Sequence, residues 1–418
     1  MSSAVPDGWE EEVLGKLGKF SKGKGISKKE IVSSGIPCIR YAEIYTDYNF
    51  VIRKLKSFIT SDTASNSKRM KQGDIIFAGS GETVEDIGKS VAYVDDKEAY
   101  VGGDSIVLSP SKNLDSAFLS YQLNDDLRRI TLRKLGQGSS VIHIYSSGLE
   151  QLPVQLPPFP EQKKIASILT SVDEVIEKTE SQIAKLQDLK AAVMQDLLAK
   201  GIGHTEFKDS SVGRIPVGWS AVQLRGICKV QGGYAFKSTD SSESGVRWLK
   251  IANVGIGQVK WDDKSYLPKD FEKKYLDYLL DEGDIVIAMT RPVLRNALKV
   301  ARVKGKDSGS LLNQRVGRIQ PLKAVNKEFL YCLFESRIVS ESIEKIIFGS
   351  DPPNISGTQI ESIEVPLPPL SEQTQIAEST KCLQKTISEK TKYVASINCL
   401  KKALMQDLLT GKVRVKTD

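Results

Sequence analysis

The chain has 418 residues, 40% of them hydrophobic and 27% charged, with a formal net charge of +7. That length exceeds one ordinary core and predicts two or more domains, and the composition excludes a disordered chain. No run of about 18 apolar residues occurs, which excludes a spanning helix and predicts no membrane partner.

The opening MSSAVPDGWEEEV lacks the basic-then-apolar pattern of a signal peptide. Cys38, Cys228, Cys332, Cys382 and Cys399 are too scattered for a disulfide framework. They suit reduced thiols and a cytoplasmic location. Residues 1–156 read as a mixed α/β domain. Segments 35–44, 73–80, 90–96 and 105–109 are short and rich in β-branched residues, with Gly or Asp between them, and predict strands. Segment 114–136 has apolar residues three and four apart and predicts one helix ending at Gly136.

A long helix is expected within 157–203. Apolar residues recur there in alternating steps of four and three, at Ile165, Leu169, Val172, Ile176, Ile183, Leu186, Val193 and Leu197. This is a seam of about five heptads, interrupted at Thr179 and Lys190.

Residues 204–367 repeat the first domain. GW at 218–219, GVRWLKIANV at 245–254 and EGDIVIAMT at 282–290 stand 210 positions after GW, GIPCIRYAEI and QGDIIFAGS. The closing segment 349–369 stands 211 after 138–158, and 326–349 predicts a helix to match 114–136. Residues 368–418 supply a second long helix and a tail. Its PPLSEQ start and MQDLL end echo PPFPEQ and MQDLL, 211 positions earlier. Its seam is Ile376, Leu383, Ile387, Val394, Ile397, Leu404 and Leu408. Lys190 and Lys401 share a seam position, each preceded by a leucine, Leu189 and Leu400. That shared lapse predicts a drift of the seam.

Neither helix can leave its apolar stripe in water, and the two match in length and register. The expected fold is therefore α+β. Two mixed α/β domains in tandem are each followed by a long helix, and the helices pair as an antiparallel coiled coil of about 60 Å. The two halves are related by a pseudo-twofold axis, with one domain at each end. Such a molecule is a ruler. Two different domains would read two different half-sites of duplex DNA. One helical turn, about 5.4 Å, would alter the spacer by about 1.5 base pairs.

The order of variable domain, helix, variable domain, helix resembles the specificity subunit of type I restriction–modification enzymes. PPFPEQKKIA, PLPPLSEQTQIA, the paired MQDLL endings, GIPCIR, GVRWLK and the GDI motifs carry the likeness over the entire chain. YAEI departs from the family's wording, where an Asp or Asn often follows. The resemblance implies two target recognition domains, each reading one half of a bipartite asymmetric site in double-stranded DNA. It implies helices that set the spacer and dock two adenine methyltransferase subunits, restriction subunits joined to that core, and no catalytic activity in this chain.

Phosphate contact needs cations near loop backbone. Lys16, Lys19, Lys22, Lys24, Lys28 and Lys29 occur with no acid between Glu12 and Glu30. Arg291, Arg295, Lys299, Arg302, Lys304 and Lys306 run without an acid until Asp307. Either stretch alone reads as a solvated face; in this architecture both are candidate DNA contacts. The loops after the GDI strands offer Ser80, Thr83, Thr290, Arg291 and Arg295 for base edges, Arg to guanine above all. An ordinary turn is the bland reading of each. Gln137–Ser140 and Asn313–Arg315 are further candidates of this kind, chief among them Gln137, Ser139, Asn313 and Arg315.

Asp351-Pro352-Pro353-Asn354 resembles the DPPY of adenine methyltransferases, but Asn replaces the aromatic that stacks a flipped base. No glycine-rich cofactor loop accompanies it. His143 and His204 are isolated, and no Cys or His pair has metal-ligand spacing. No catalytic, cofactor-binding or metal-ligating residue is expected, and no cofactor. Two rivals stand. A self-contained adenine methyltransferase would bind cofactor as an isolated chain. A coiled-coil scaffold would show absent or salt-insensitive DNA binding.

Overall fold

The computed structural model describes residues 5–111, 113–138, 141–323 and 325–417. The chain forms two compact units, Met1–Ser181 with Lys392–Asp418, and Gln182–Thr391. Each holds one α/β domain, the first part of one long helix and the last part of the other.

In the first unit a five-stranded sheet runs in the order Gly18–Lys22, Ser105–Pro110, Ile75–Ala78, Ser90–Tyr93, Val51–Ile52. A second sheet runs Ser57–Ile59, Ile36–Ile39, Ala99–Val101, Lys68–Met70, and its middle pair is parallel. Side chains alternate across a strand, and both faces of Ile75–Ala78 are buried. Ile75 and Phe77 pack with Leu119, Leu123 and Leu132 of the helices behind. Ile76 and Ala78 pack with Ile39, Val91 and Val107.

The second unit repeats this scheme. One sheet runs Cys228–Gly232, Val316–Pro321, Ile285–Ala288, Val300–Arg302. The other runs Tyr266–Leu267, Val246–Leu249, Ser310–Leu312, Leu279–Leu280, again with a parallel middle pair. The repeat seen in the sequence therefore holds for the central strands of both sheets, with the two GDI strands at corresponding places; the edge strand Val51–Ile52 has no counterpart in the second unit's sheet.

Four expected elements end or divide earlier than their sequence pattern does. The strands expected at 35–44 and 245–254 stop at Ile39 and Leu249. Tyr41–Thr46 is helical, because Glu43 accepts from the Arg40 N–H (2.9 Å) and closes a first turn. Asn253 accepts likewise from the Lys250 N–H (2.9 Å). Such short polar bonds compete with the sheet ladder. The helix expected at 114–136 is two, Ser116–Leu123 and Asp126–Lys134, because Asp125 caps a new start through the Arg128 N–H (2.8 Å). The helix expected at 326–349 is likewise two, Lys327–Glu335 and Arg337–Ile347, interrupted at Ser336.

The long helices span Phe159–Lys200 and Leu370–Leu408. Every seam residue named above is buried or half-buried. In the first unit Ile165 and Leu169 share a cluster with Leu404, Leu408 and Leu409. In the second, Ile376 and Ala377 share one with Met194, Leu197 and Leu198.

The EQ pair has a structural use. Gln162 accepts from the Asp115 N–H (2.9 Å) and donates to the Pro157 carbonyl (2.9 Å). Gln373 does the same with Asn326 (2.8 Å) and Pro368 (2.9 Å). Each glutamine ties a helix start to the domain helix before it. Glu161 accepts two bonds from the Arg414 guanidinium (2.8 and 2.7 Å). Glu372 accepts from the Trp219 indole (2.8 Å) and the Ile202 N–H (2.8 Å), and is hydrogen-bonded with His204 Nε2 (2.9 Å).

Burial pushes the Glu372 carboxyl up, but its bonds from Ile202, Trp219 and His204 outweigh this and hold it below the ordinary value of 4.5. A carboxylate with a lowered folded pKa stabilises fully above its unfolded value, and the contribution is lost as pH falls through the folded value. The melting temperature of the second unit should therefore drop as pH is lowered from about 6 to about 3. Glu372→Gln should melt lower at neutral pH and show a flatter dependence; an unchanged slope would count against this assignment.

The seam does not drift at the lysines. Leu189 and Leu400 are exposed (49% and 56%), while Lys190 and Lys401 stay inside. Each lysine has a partner that its own helix pattern does not reveal. Lys401 is ion-paired with the buried Asp173, which also accepts from the Tyr121 hydroxyl (2.6 Å). The Phe50 ring lies 4.0 Å from the ammonium. Lys190 bonds Glu335 (2.8 Å) and Gln384 (2.8 Å).

Candidate nucleic-acid interface

In the second unit one edge of the central sheet gathers the loops. The antiparallel register sets Ala288 opposite Val316, Ile287 opposite Val300 and Gly232 opposite Gly317. Segments 233–237, 289–299 and 313–315 therefore all leave or enter the sheet at that edge. Val293–Leu294 pairs with Ala297–Leu298, leaving Arg295 and Asn296 as a two-residue turn with φ of +52° and +61°. Hairpins of this type favour glycine or asparagine, so Arg295 is an unusual choice, and it is exposed at the tip. Arg291 is exposed too, with φ of +46°. Burial lowers the pKa of Lys299, and the nearby Arg291 charge lowers it further, so like charges crowd here.

Segment 313–315 also lines a cleft of about 400 Å³, together with Phe236, Ser238, Ser241, Trp248, Lys250 and Ile251. The Lys250 ammonium sits 4.0 Å from the centre of the Trp248 ring and bonds the Ser265 hydroxyl (2.9 Å). A cationic concavity with an aromatic floor and amide walls suits a polyanion whose bases offer edges and faces.

Other expected contacts fall elsewhere. Arg302 stands opposite Ile285, at the far end of the same strand from Arg291. It is ion-paired with Glu328 and lies over Tyr331 (4.7 Å). Lys304 and Lys306 follow it at that far end, exposed. The single basic run in the sequence is thus split by a strand into two opposite edges. Thr290 is buried, and its hydroxyl donates to Asn354 Oδ1 (2.6 Å). Arg291 N–H and Ile355 N–H bond Pro353 and Met289 carbonyls (2.7 and 2.9 Å), so the DPPN segment is a clasp for this loop.

In the first unit the corresponding edge carries Lys22, opposite Ile106, then Lys24, Lys28 and Lys29. All four are exposed, and none is in an ion pair among the described residues. Lys19 lies opposite Ser109, toward the far end of the strand, and Lys16 is paired with Glu12 (3.0 Å). The loop Gly81–Lys89 matches Arg291–Lys299 in length but carries Glu82, Glu85 and Asp86. Thr83 is exposed and donates to Asp86 (2.7 Å). Ser80 is buried and hydrogen-bonded with His143 Nδ1 (2.8 Å), the counterpart of the Thr290–Asn354 clasp. Gln137 is exposed and exchanges two backbone bonds with His143 (2.8 Å each). Ser139 and Ser140 lie outside the described residues.

Lys250 and the clasp role of His143 were not expected from the sequence; Gln314 lay within the candidate stretch Asn313–Arg315. Of the two, only the clasp had a signal: His143 and Asn354 stand 211 positions apart, as the closing segments do. Among the described residues no group of His, Cys, Asp or Glu is placed to hold a metal ion, and no helix is long and apolar enough to cross a membrane.

A family model described as the type I restriction modification DNA specificity domain matches the chain twice, at residues 6–188 and 216–396. The chain belongs to the type I restriction modification DNA specificity family. The two matches to this specificity family coincide with the two sets of strands and with most of both long helices. The MjaVIII specificity subunit of Methanocaldococcus jannaschii is 32% identical over 99% of this chain and 94% of its own length. The EcoKI specificity subunit of Escherichia coli is 22% identical, over 91% of this chain and 82% of its own. A type I restriction–modification S subunit from M. genitalium superposes with a TM-score of 0.61 at 17% identity, covering 98% of this chain and 97% of that one. The specificity family's fold is thus shared with a solved member.

Proposed function

We propose that this chain is the DNA-recognition subunit of a type I restriction–modification complex and carries no catalytic activity itself. Residues 1–156 and 204–367 are its two target recognition domains, each reading one half of a bipartite, asymmetric site. Residues 157–203 and 368–418 are the spacer helices, paired antiparallel as a coiled coil. They set the distance between half-sites and dock two adenine methyltransferase subunits, which restriction subunits join, in the cytoplasm. The observation that carries the reading is a duplicated domain whose equivalent edge loops differ in chemistry. Gly81–Lys89 is acidic where Arg291–Lys299 is basic, so the same scaffold would meet two different sequences. Exposed Lys22, Lys24, Lys28, Lys29, Arg291, Arg295 and Arg315 are the cations that would meet phosphates or base edges.

The test is to express the chain with its methyltransferase partners and map methylated adenines on random DNA. Two short motifs at a fixed spacing are expected; one contiguous motif, or no sequence preference, would sink the reading. Inserting four residues near Gln182 should lengthen the spacer by one to two base pairs, at about 1.5 Å per residue and 3.4 Å per pair. Both half-sites should stay the same; a change in either counts against the ruler.

A further inference from the structure

The turn at Asn313–Arg315 has a backbone counterpart in the first unit. Asn313 N–H bonds the Leu249 carbonyl (3.1 Å), as Gly102 N–H bonds Ile39 (2.9 Å). Tyr234 N–H bonds Leu312 (2.9 Å), as Lys24 N–H bonds Val101 (3.2 Å). Met289 N–H bonds the Arg315 carbonyl (2.9 Å), as Gly79 N–H bonds Asp104 (2.8 Å). Matching bonds thus hold Gly102-Gly103-Asp104 in one unit and Asn313-Gln314-Arg315 in the other. The scaffold is the same and the side chains are not.

In the second unit this turn is rigid. Gln314 N–H is held by the Tyr234 carbonyl (2.9 Å), and Asn313 Oδ1 accepts from the Arg315 N–H (3.2 Å). The Gln314 and Arg315 side chains are exposed, line the cleft, and make no hydrogen bond or ion pair among the described residues. Trp248 lines the same cleft, and its buried indole N–H has no acceptor among the described residues. Two long polar heads fixed at their backbone and lining one cleft form a pre-organised recognition surface.

We propose that Gln314 and Arg315 are base-reading residues of the second domain, and that its half-site contains a guanine read by Arg315 and an adenine read by Gln314. The pairing follows from geometry: Arg bonds guanine O6 and N7 together, and Gln bonds adenine N6 and N7. The first domain has no such donors at this turn. Its one polar side chain there is Asp104, an acceptor suited to a cytosine amino group. This rests on the DNA-recognition reading above.

The experiment is selection from a random duplex library by the full chain in complex with its methyltransferase subunits. Wild type should enrich two half-sites. Arg315→Ala should lose roughly ten- to hundred-fold discrimination at one guanine of one half-site, with the other half-site unchanged. Gln314→Ala should relax one adenine in that same half-site. Lys304→Ala, at the opposite sheet edge, should change neither. If wild type enriches a bipartite motif but Arg315→Ala keeps every position, the base-reading assignment fails alone. If Arg315→Ala weakens all sequences equally, Arg315 is a phosphate clamp and the assignment also fails. If wild type enriches nothing, the DNA-recognition reading fails with it. Arg315 is exposed, and an unchanged melting temperature shows that each variant is folded.

Discussion

Replacing Lys401 with alanine should destabilise the first unit by about 3–5 kcal/mol, the range for stripping one member from a buried ion pair. The pair is buried on both sides, with side-chain exposures of 10% each. Asp173 would keep one bond from Tyr121 (2.6 Å) and lose its counter-charge. Urea unfolding of the full chain measures the effect. The second unit, which holds Lys190 in the equivalent place, is the internal reference. Replacing both partners together, as Lys401→Met with Asp173→Leu, should restore most of the stability, because no charge is left stranded. A drop under about 1 kcal/mol for the single variant would mean that the pair behaves as a solvated one.

The second large effect concerns the split basic run. Arg291→Ala with Arg295→Ala should flatten the dependence of log binding constant on log salt by about 1.8, at about 0.9 for each phosphate no longer neutralised. Lys304→Ala with Lys306→Ala should leave that slope unchanged, because those residues lie at the far end of the strand Val300–Arg302. Fluorescence anisotropy across a salt series distinguishes the two pairs. Equal effects from both would place the DNA away from the edge that carries Arg291.

Much of the fold was legible because duplication doubles every signal. The 210- and 211-residue echoes set the pairing of GDI strands, closing strands and helix starts from spacing alone. The heptad seam was legible because burial of an apolar stripe follows from its periodicity. What failed was decided by partners distant in sequence. Lys401 looked like a lapse because Asp173 lies on the other long helix. Asp125 looked like a helix-interior residue because capping depends on one backbone bond, to Arg128. Arg291 and Arg302 looked like one patch because charge counting is blind to the strand that carries them to opposite edges. Ser80 and Thr290 looked like exposed readers, but their hydroxyls meet His143 and Asn354, 63 and 64 residues on. Gln314 lay within the candidate stretch Asn313–Arg315, but only its fixed backbone distinguishes it from any other surface glutamine.

The bonds that Glu161 and Asp173 make to the last part of the second long helix and the tail have a consequence for biosynthesis. The second unit is one continuous stretch, Gln182–Thr391, whereas the first needs Lys392–Asp418 to complete it. Arg414, which binds Glu161, and Lys401, which binds Asp173, are synthesised after the whole of the second unit. At about 5–20 residues per second, the domain made first waits on the order of ten to forty seconds for its own final segment. Its neighbour can finish meanwhile. Order of synthesis and order of completion are therefore inverted. A ribosome that stalls between Thr391 and Lys401 releases a chain whose second unit is complete and whose first is not.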